Sequence, residues 1–276
     1  MLVMVTVFWG SSCLFTKVAL EELQEFNLMA LRFLIGFAVS LPAVSMTGKL
    51  KADMRTVRRA ALLSANYFVV VAFMTFGVRY TTVSKAGLLT CLAGVFVPLI
   101  CVLLFRMRIG RRTALCAVST LVGVYLLTMG GSVEALGVNL GDVLCTLCSL
   151  FFAVHIMLIG FMVKRTDAIT LTVFQMGFVG LYNTAAAFLF ESPGLPQTGA
   201  TWFYVLWLGV VCGVSAALLQ NVAQKYTSET HAGIIFTLEP VFALIFAYAF
   251  LGEMLTPTGY AGAAVLMASI VILELP

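Results

Sequence analysis

Charge is scarce in this chain. Asp, Glu, Lys and Arg make up 10% of the 276 residues and hydrophobic types 62%, whereas an ordinary soluble domain carries about 25% charged residues. That shortage excludes a soluble globular fold, because a chain of this length has no interior large enough to hide so much apolar surface. Stretches such as 88–105 and 234–251 run 18 residues each with one charge between them, close to the ~20 needed to cross a bilayer as a helix. Catalytic motifs are missing as well. There is no H-E-x-x-H, no G-x-S-x-G, no Gly-rich phosphate loop and no pair of carboxylates inside the apolar runs. The chain is therefore expected not to be an enzyme, to need no cofactor or metal, and not to drive primary transport by nucleotide hydrolysis on its own. All seven cysteines fall inside apolar runs. Cys145 and Cys148 form a C-x-x-C, but no second pair lies nearby, which argues against a redox or metal role.

What is present is a succession of apolar runs separated by short polar clusters. Ten spans follow, approximately 2–20, 27–46, 58–77, 82–105, 111–130, 139–163, 168–190, 201–222, 230–251 and 257–274. Each must satisfy its own backbone in lipid and so must be helical; the runs are too long for barrel strands. The first run lacks a basic leader and a small-x-small cleavage site, so it reads as a spanning helix and not a cleaved signal. The formal net charge of +4 could suggest nucleic acid, but the basic residues sit in short loops between spans, where membrane orientation explains them better. Lys49, Lys51, Arg55, Arg58, Arg59, Arg106, Arg108, Arg111, Arg112, Lys164, Arg165 and Lys225 all lie on even-to-odd connections. The odd-to-even connections carry Arg79 with Glu21, Glu22, Glu25, Glu134 and Glu191. The positive-inside rule then puts the even-to-odd loops and both termini in the cytoplasm of a multi-pass cell (inner or plasma) membrane protein.

One nine-residue stretch is written twice. Residues 79–87 read RYTTVSKAG and residues 225–233 read KYTSETHAG, 146 positions apart, and the register extends to Leu92 with Leu238, Val95 with Val241 and Phe96 with Phe242. The first copy joins spans three and four, the second spans eight and nine, on opposite sides of the membrane. Each copy belongs to a five-helix half, 1–133 and 134–276, and because five is odd the second half enters upside down. Such inverted repeats are a construction of secondary transporters, with the substrate site between the halves near the midplane. Within the copies, Thr82 and Ser228 can cap a helix start, and Ala-Gly pairs let another helix approach closely.

The stretch LLQNVAQKYTSETHAGIIFTLEPVFALIFAYAFLGE (218–253), together with FWGSSCLFTKVAL (8–20) and LRFLIG (31–36), resembles the EamA-type permeases of the drug/metabolite transporter superfamily, over essentially the whole chain. The resemblance implies ten helices as a 5+5 inverted repeat, a central cavity between the halves, helices five and ten as peripheral scaffold, and export of small metabolites. Phe105-Arg106-Met107 stands where the second half has Leu251-Gly252-Glu253, so a role for Glu253 has no mirror image.

Polar side chains within spans cost about 2.5 to 3.5 kcal/mol each when charged, so each needs a reason. Arg32 sits near the outer end of span two, with Gln175 at the corresponding place in span seven, and Lys85 one turn into span four; the two cations either snorkel to headgroups or mark the outer mouth of the cavity. His155 and Ser12 are related by an offset of 143 and would form a symmetric pair facing the cavity, although a packed, hydrogen-bonded histidine explains His155 as well. Trp9 is too deep for the interfacial aromatic belt and is either a cavity wall or a core residue. Asn66, Tyr67, Asn183, Gln220, Asn221 and Gln224 add polar atoms, with Gln220 and Gln224 on one helical face. Glu239, before Pro240 in FTLEPVF, lies near the midplane. It acts either as a structural carboxyl at a proline kink or as a proton-coupling group. The expected substrate is a small metabolite such as an amino acid, moved by alternating access, and the expected assembly is a monomer or homodimer. Cationic drugs are the near alternative, and an intramembrane enzyme or structural membrane protein the distant ones.

Overall fold

The computed structural model describes residues 1–46, 53–81, 86, 89–90, 92–103, 106, 110–128, 139–251 and 257–274. The helices among them are α1 (Leu2–Ala19), α2 (Glu25–Ser45), α3 (Met54–Tyr80), α4 (Ala93–Leu103), α5 (Arg111–Thr128), α6 (Leu140–Val163), α7 (Ala168–Phe190), α8 (Gly199–Gln224), α9 (Glu229–Phe236), α10 (Glu239–Leu251) and α11 (Pro257–Glu274). No strand occurs among the described residues. Every predicted span holds helix, and α1, α2 over Glu25–Pro42, α3, α6, α7 and α8 are each long and apolar enough to cross a membrane. The chain is an all-helical, multi-pass membrane protein. Lys85, Thr82 and Glu253 lie outside the described residues.

Helix starts are written as polar residues at the edges of apolar runs. Asp53 accepts from the Thr56 N–H ahead of α3 (3.3 Å), Asp167 from Thr170 ahead of α7 (2.8 Å), Thr198 from Thr201 ahead of α8 (3.2 Å), and Ser228 from His231 ahead of α9 (3.2 Å). Asn139 and Asp142 form a capping box on α6. Each supplies acceptors for N–H groups that the first turn leaves without intrahelical partners, which matters most where water is scarce.

Two spans are less regular than expected. Residues 210–215 of α8 wind as a π-helix. The span foreseen over 230–251 as one kinked helix is instead two helices, broken at Thr237–Leu238. Pro240 explains the break: it has no N–H to continue the upstream ladder, and it sits instead in the first turn of α10, where that N–H is not required. Glu239 opens α10, where the helix dipole favours a carboxylate.

The principal packings are α2 on α7, α3 on α6 and α7, α5 on α11, α1 on α10, and α4 on α9. Large side chains such as Leu115, Leu181 and Phe188 point outward, which suits a lipid surround. Close approach depends on glycines. A Cβ on Gly10 would lie 2.7 Å from Phe242 Cβ and 2.8 Å from the Ala243 backbone nitrogen, and one on Gly94 would lie 2.9 Å from the Gly233 carbonyl oxygen.

The two ends of the bundle differ in charge and in the way they are tied. At one end Glu191 accepts the Phe26 and Asn27 N–H groups at the start of α2 (both 2.8 Å). Reciprocally, Glu22 accepts from the Thr198 N–H (3.2 Å), the Thr198 hydroxyl (2.9 Å), the Gln197 N–H and the Thr201 hydroxyl at the start of α8. Each connection thus supplies an anion to the N-terminus of the other's helix. Arg79 pairs with Glu25 at the same end. At the other end Arg59 donates to the Arg165 carbonyl (2.9 Å) and the Thr166 hydroxyl (2.6 Å), and Lys164 pairs with Glu229 (3.0 Å).

Two outcomes follow from these contacts. Gly10→Val drives a side chain into the backbone of α10 and should destabilise the fold by about 1–3 kcal/mol, read as a lower thermal midpoint in detergent, while Gly194→Ala, with nothing within 4 Å, should be neutral. The Glu22 carboxyl is held below its usual pKa, chiefly by the Thr201 hydroxyl and then by the Gln197 N–H. A depressed folded pKa means that this stabilisation is complete above the unfolded value near ~4.3 and fades as pH falls through the lower folded value. Thermal midpoints measured from pH 6 down to pH 3 should therefore separate wild type from Glu22→Gln at the upper end and converge at the lower.

Candidate functional site

A cavity lies among α1, α2, α3, α4, α6, α9 and the start of α10. Its lining repeats at helical spacing, so one face of each helix turns inward. Trp9, Ser12 and Thr16 come from α1; Met29 and Arg32 from α2; Tyr67, Val70, Val71, Met74 and Thr75 from α3; Cys148 and Phe152 from α6. Gly233, Phe236, Thr237 and Glu239 flank the break between α9 and α10, and Gly94 of α4 meets them from the opposite side.

Aromatic rings shape the space. The Trp9 indole N–H donates to the Cys212 carbonyl (3.1 Å), within the π-helical turn of α8. That bond fixes the ring, which stands edge-on to Phe152 (centroids 5.5 Å apart) and tilted against Phe236 (5.1 Å). Phe152 stands at the same 143-residue offset from Trp9 as His155 from Ser12.

Arg32 and Glu239 are the ionisable base and acid of the lining among the described residues. Arg32 is buried, and its guanidinium lies 5.0 Å over the Phe33 ring; its Nε has no hydrogen-bond partner. No ion pair joins Arg32 to Glu239, and Glu239 bonds to no other described side chain. Arg32 and Glu239 thus face one largely apolar space without an ion pair between them. Withdrawing ionisable groups from water without partners is costly.

The structure sorts the residues singled out in the sequence into two groups. Trp9, Ser12, Arg32, Tyr67 and Glu239 line the cavity, with Pro240 buried beside Glu239. His155, Gln175, Gln220, Asn221 and Gln224 are buried but outside its lining. His155 is separated from it by the Tyr67 ring, stacked on the imidazole at 4.5 Å, so Ser12 and His155 do not meet across the cavity. Asn66 donates to the Phe151 carbonyl (3.2 Å), tying α3 to α6. Lys85 lies outside the described residues. Thr16, Met29, Met74, Phe152 and Thr237 are not distinguished by the sequence, and Cys148 stands out there only as half of a C-x-x-C; their signal is the stripe spacing 9-12-16, 29-32, 67-71-74 and 148-152, which apolar neighbours on every side conceal.

Comparison with known proteins agrees with this architecture. The model of the EamA-like transporter family matches residues 1–129 and 139–275. An uncharacterized transporter of Archaeoglobus fulgidus is 29% identical over 99% of this chain and 84% of its own length, and a second from the same organism is 27% identical over 92% and 89%. The uncharacterized transporter YcxC of Bacillus subtilis is 25% identical over 95% and 88%. One solved crystal structure shares the fold with a TM-score of 0.82 at 17% identity, covering 99% of this chain and 95% of that one. A helical bundle with multiple spans and a family match over nearly its whole length together establish the chain as a membrane transporter that belongs to the EamA-like family of the drug/metabolite transporter superfamily.

Proposed function

We propose that the protein is a secondary transporter of small zwitterions, amino acids or close relatives, working by alternating access and exporting them across the cell (inner or plasma) membrane with both termini in the cytoplasm. The observation that carries the substrate class is the uncompensated pair of Arg32 and Glu239 on one cavity. A carboxylate on the guanidinium and an ammonium group on Glu239, with Trp9, Phe152 and Phe236 as the apolar and cation–π surface, would satisfy both charges at once. The same guanidinium disfavours a cationic drug, for which Glu239 alone would be the counter-charge.

The helix packing supports reading 1–133 and 134–276 as inverted halves. Advancing each span number by five exchanges the packing of α1 on α8 with that of α6 on α3, and the packing of α1 on α9 and α10 with that of α6 on α4. The pairs α2–α7, α4–α9 and α5–α11 map onto themselves. Segregation of basic side chains to one end and of the reciprocal carboxylates Glu22 and Glu191 to the other supports the orientation. Monomer or homodimer, the site is complete within one chain.

Counterflow of labelled neutral amino acids into proteoliposomes tests the reading. Arg32→Gln and Glu239→Gln should each lower transport at least tenfold while leaving the monodisperse yield near wild type. Glu239→Gln should also lose any dependence of transport on pH if Glu239 carries the coupling proton. Failure of wild type to move any zwitterion, or loss of folded protein in step with activity, would overturn it.

A further inference from the structure

Behind the Tyr67 ring lies a second polar layer, separate from the cavity. Its hydrogen bonds tie α6, α7 and α8 to one another. Gln175 Nε2 of α7 is 3.2 Å from His155 Nε2 of α6. Asn221 Nδ2 of α8 donates to the Thr172 hydroxyl of α7 (2.8 Å), and Gln224 Nε2 of α8 donates to the Ile156 carbonyl of α6 (2.9 Å). The Ser64 hydroxyl of α3 adds a bond to the Gln175 carbonyl (3.2 Å). His155, Thr172, Gln175, Asn221 and Gln224 are each at most 1% exposed.

The bonds that are made reveal what is left over. Gln224 faces a carbonyl, so its amide nitrogen must be turned toward Ile156 and its Oε1 remains. The Thr172 hydroxyl spends its proton on the Ala168 carbonyl (2.8 Å), so it can only accept from Asn221, whose Oδ1 remains. Both of these oxygens, together with Gln175 Oε1, accept no hydrogen bond from the protein, and His155 Nδ1, which carries the ring proton when Nε2 accepts from Gln175, also has no partner. Buried acceptors left in this way are costly, and these three sit on two neighbouring helices, α7 and α8. Asn221 and Gln224 are three residues apart, on one face of the last turn of α8, where the C-terminal end of the helix dipole adds negative potential. The layer therefore seeks donors or positive charge.

We propose that this layer is a binding site for a compact monovalent cation, with sodium as its ligand, held by Asn221 Oδ1, Gln224 Oε1, Gln175 Oε1 and the remaining lone pair of the Thr172 hydroxyl. Hard cations take oxygen ligands, and carbonyl-type oxygens at a helix end are what transporters offer to sodium. The set contains no carboxylate, so its charge suits a single positive charge better than a divalent ion. Through His155 and Tyr67 the site adjoins the wall of the cavity, a position from which a bound cation could couple to substrate occupancy. That coupling role rests on the transporter reading, but the binding does not.

Binding is tested on the purified full-length protein in nanodiscs, without substrate, by thermal midpoints in sodium, potassium and choline chloride at equal ionic strength. Sodium should give a saturable rise, roughly 5 °C at about 100-fold over its dissociation constant, absent with choline. Asn221→Ala and Gln224→Leu should each raise the half-saturating sodium concentration at least tenfold. Direct binding of radioactive sodium to wild type provides the same readout without depending on the folding of a variant. Equal midpoints and no bound sodium would overturn the proposal, as would an unchanged sodium response in both variants. Sodium binding without transport of any zwitterion would leave this site standing and count against the substrate reading alone.

Discussion

Two charges that face one apolar space without meeting each other set the terms for this structure. Arg32 and Glu239 stand on α2 and at the start of α10, and neither has a counter-ion among the described residues. In a medium where a lone charge is expensive, a ligand that completes the space between them is the proposed reason for the pair. The surrounding features serve that arrangement. The glycines at 10 and 94 let α1 and α4 pack close around the α9–α10 break, and the Trp9–Cys212 bond locks one aromatic wall to α8.

Departures from regular helix cluster around the same place. The π-helical turn of α8 offers a carbonyl to Trp9, and the break at Thr237–Leu238 delivers Glu239 on a fresh helix start beside Phe236 and Thr237. Interrupted helices place polar backbone at membrane depth, where only a cavity or a neighbouring side chain can satisfy it. Both interruptions contact α1, so a movement of α1 relative to α8–α10 would be felt at the indole, at the acid and at the break together.

Much of the fold was legible because lipid imposes blunt rules. Run length and loop charge identified the spans, and the residues that cap helices stood where the runs begin. Glu239 and Arg32 were visible because charge within a span is so rare. The grouping of the polar residues was not legible. Ser12 and His155 stand 143 positions apart, an offset that predicts a pair facing the cavity, yet one residue meets the cavity and the other lies behind Tyr67, because sequence offset does not fix the rotation of each helix about its axis. The interruption of span nine was hidden for a related reason: Pro240 signals a kink and a helix start equally well, and the choice depends on what packs against Thr237. Phe152 and Thr16 were invisible among equally apolar neighbours, and only packing distinguishes an inward Phe from an outward one.

The central claim is that the cavity recognises both ends of a zwitterion, and calorimetric titration addresses it most directly. The neutral amino acid that most stabilises the purified protein would be compared with its methyl ester, which lacks the carboxylate, and its N-acetyl derivative, which lacks the ammonium group. The account predicts that each modification weakens binding by about tenfold or more, equivalent to ~1.4 kcal/mol or more apiece. Binding that survives either modification unchanged would contradict it.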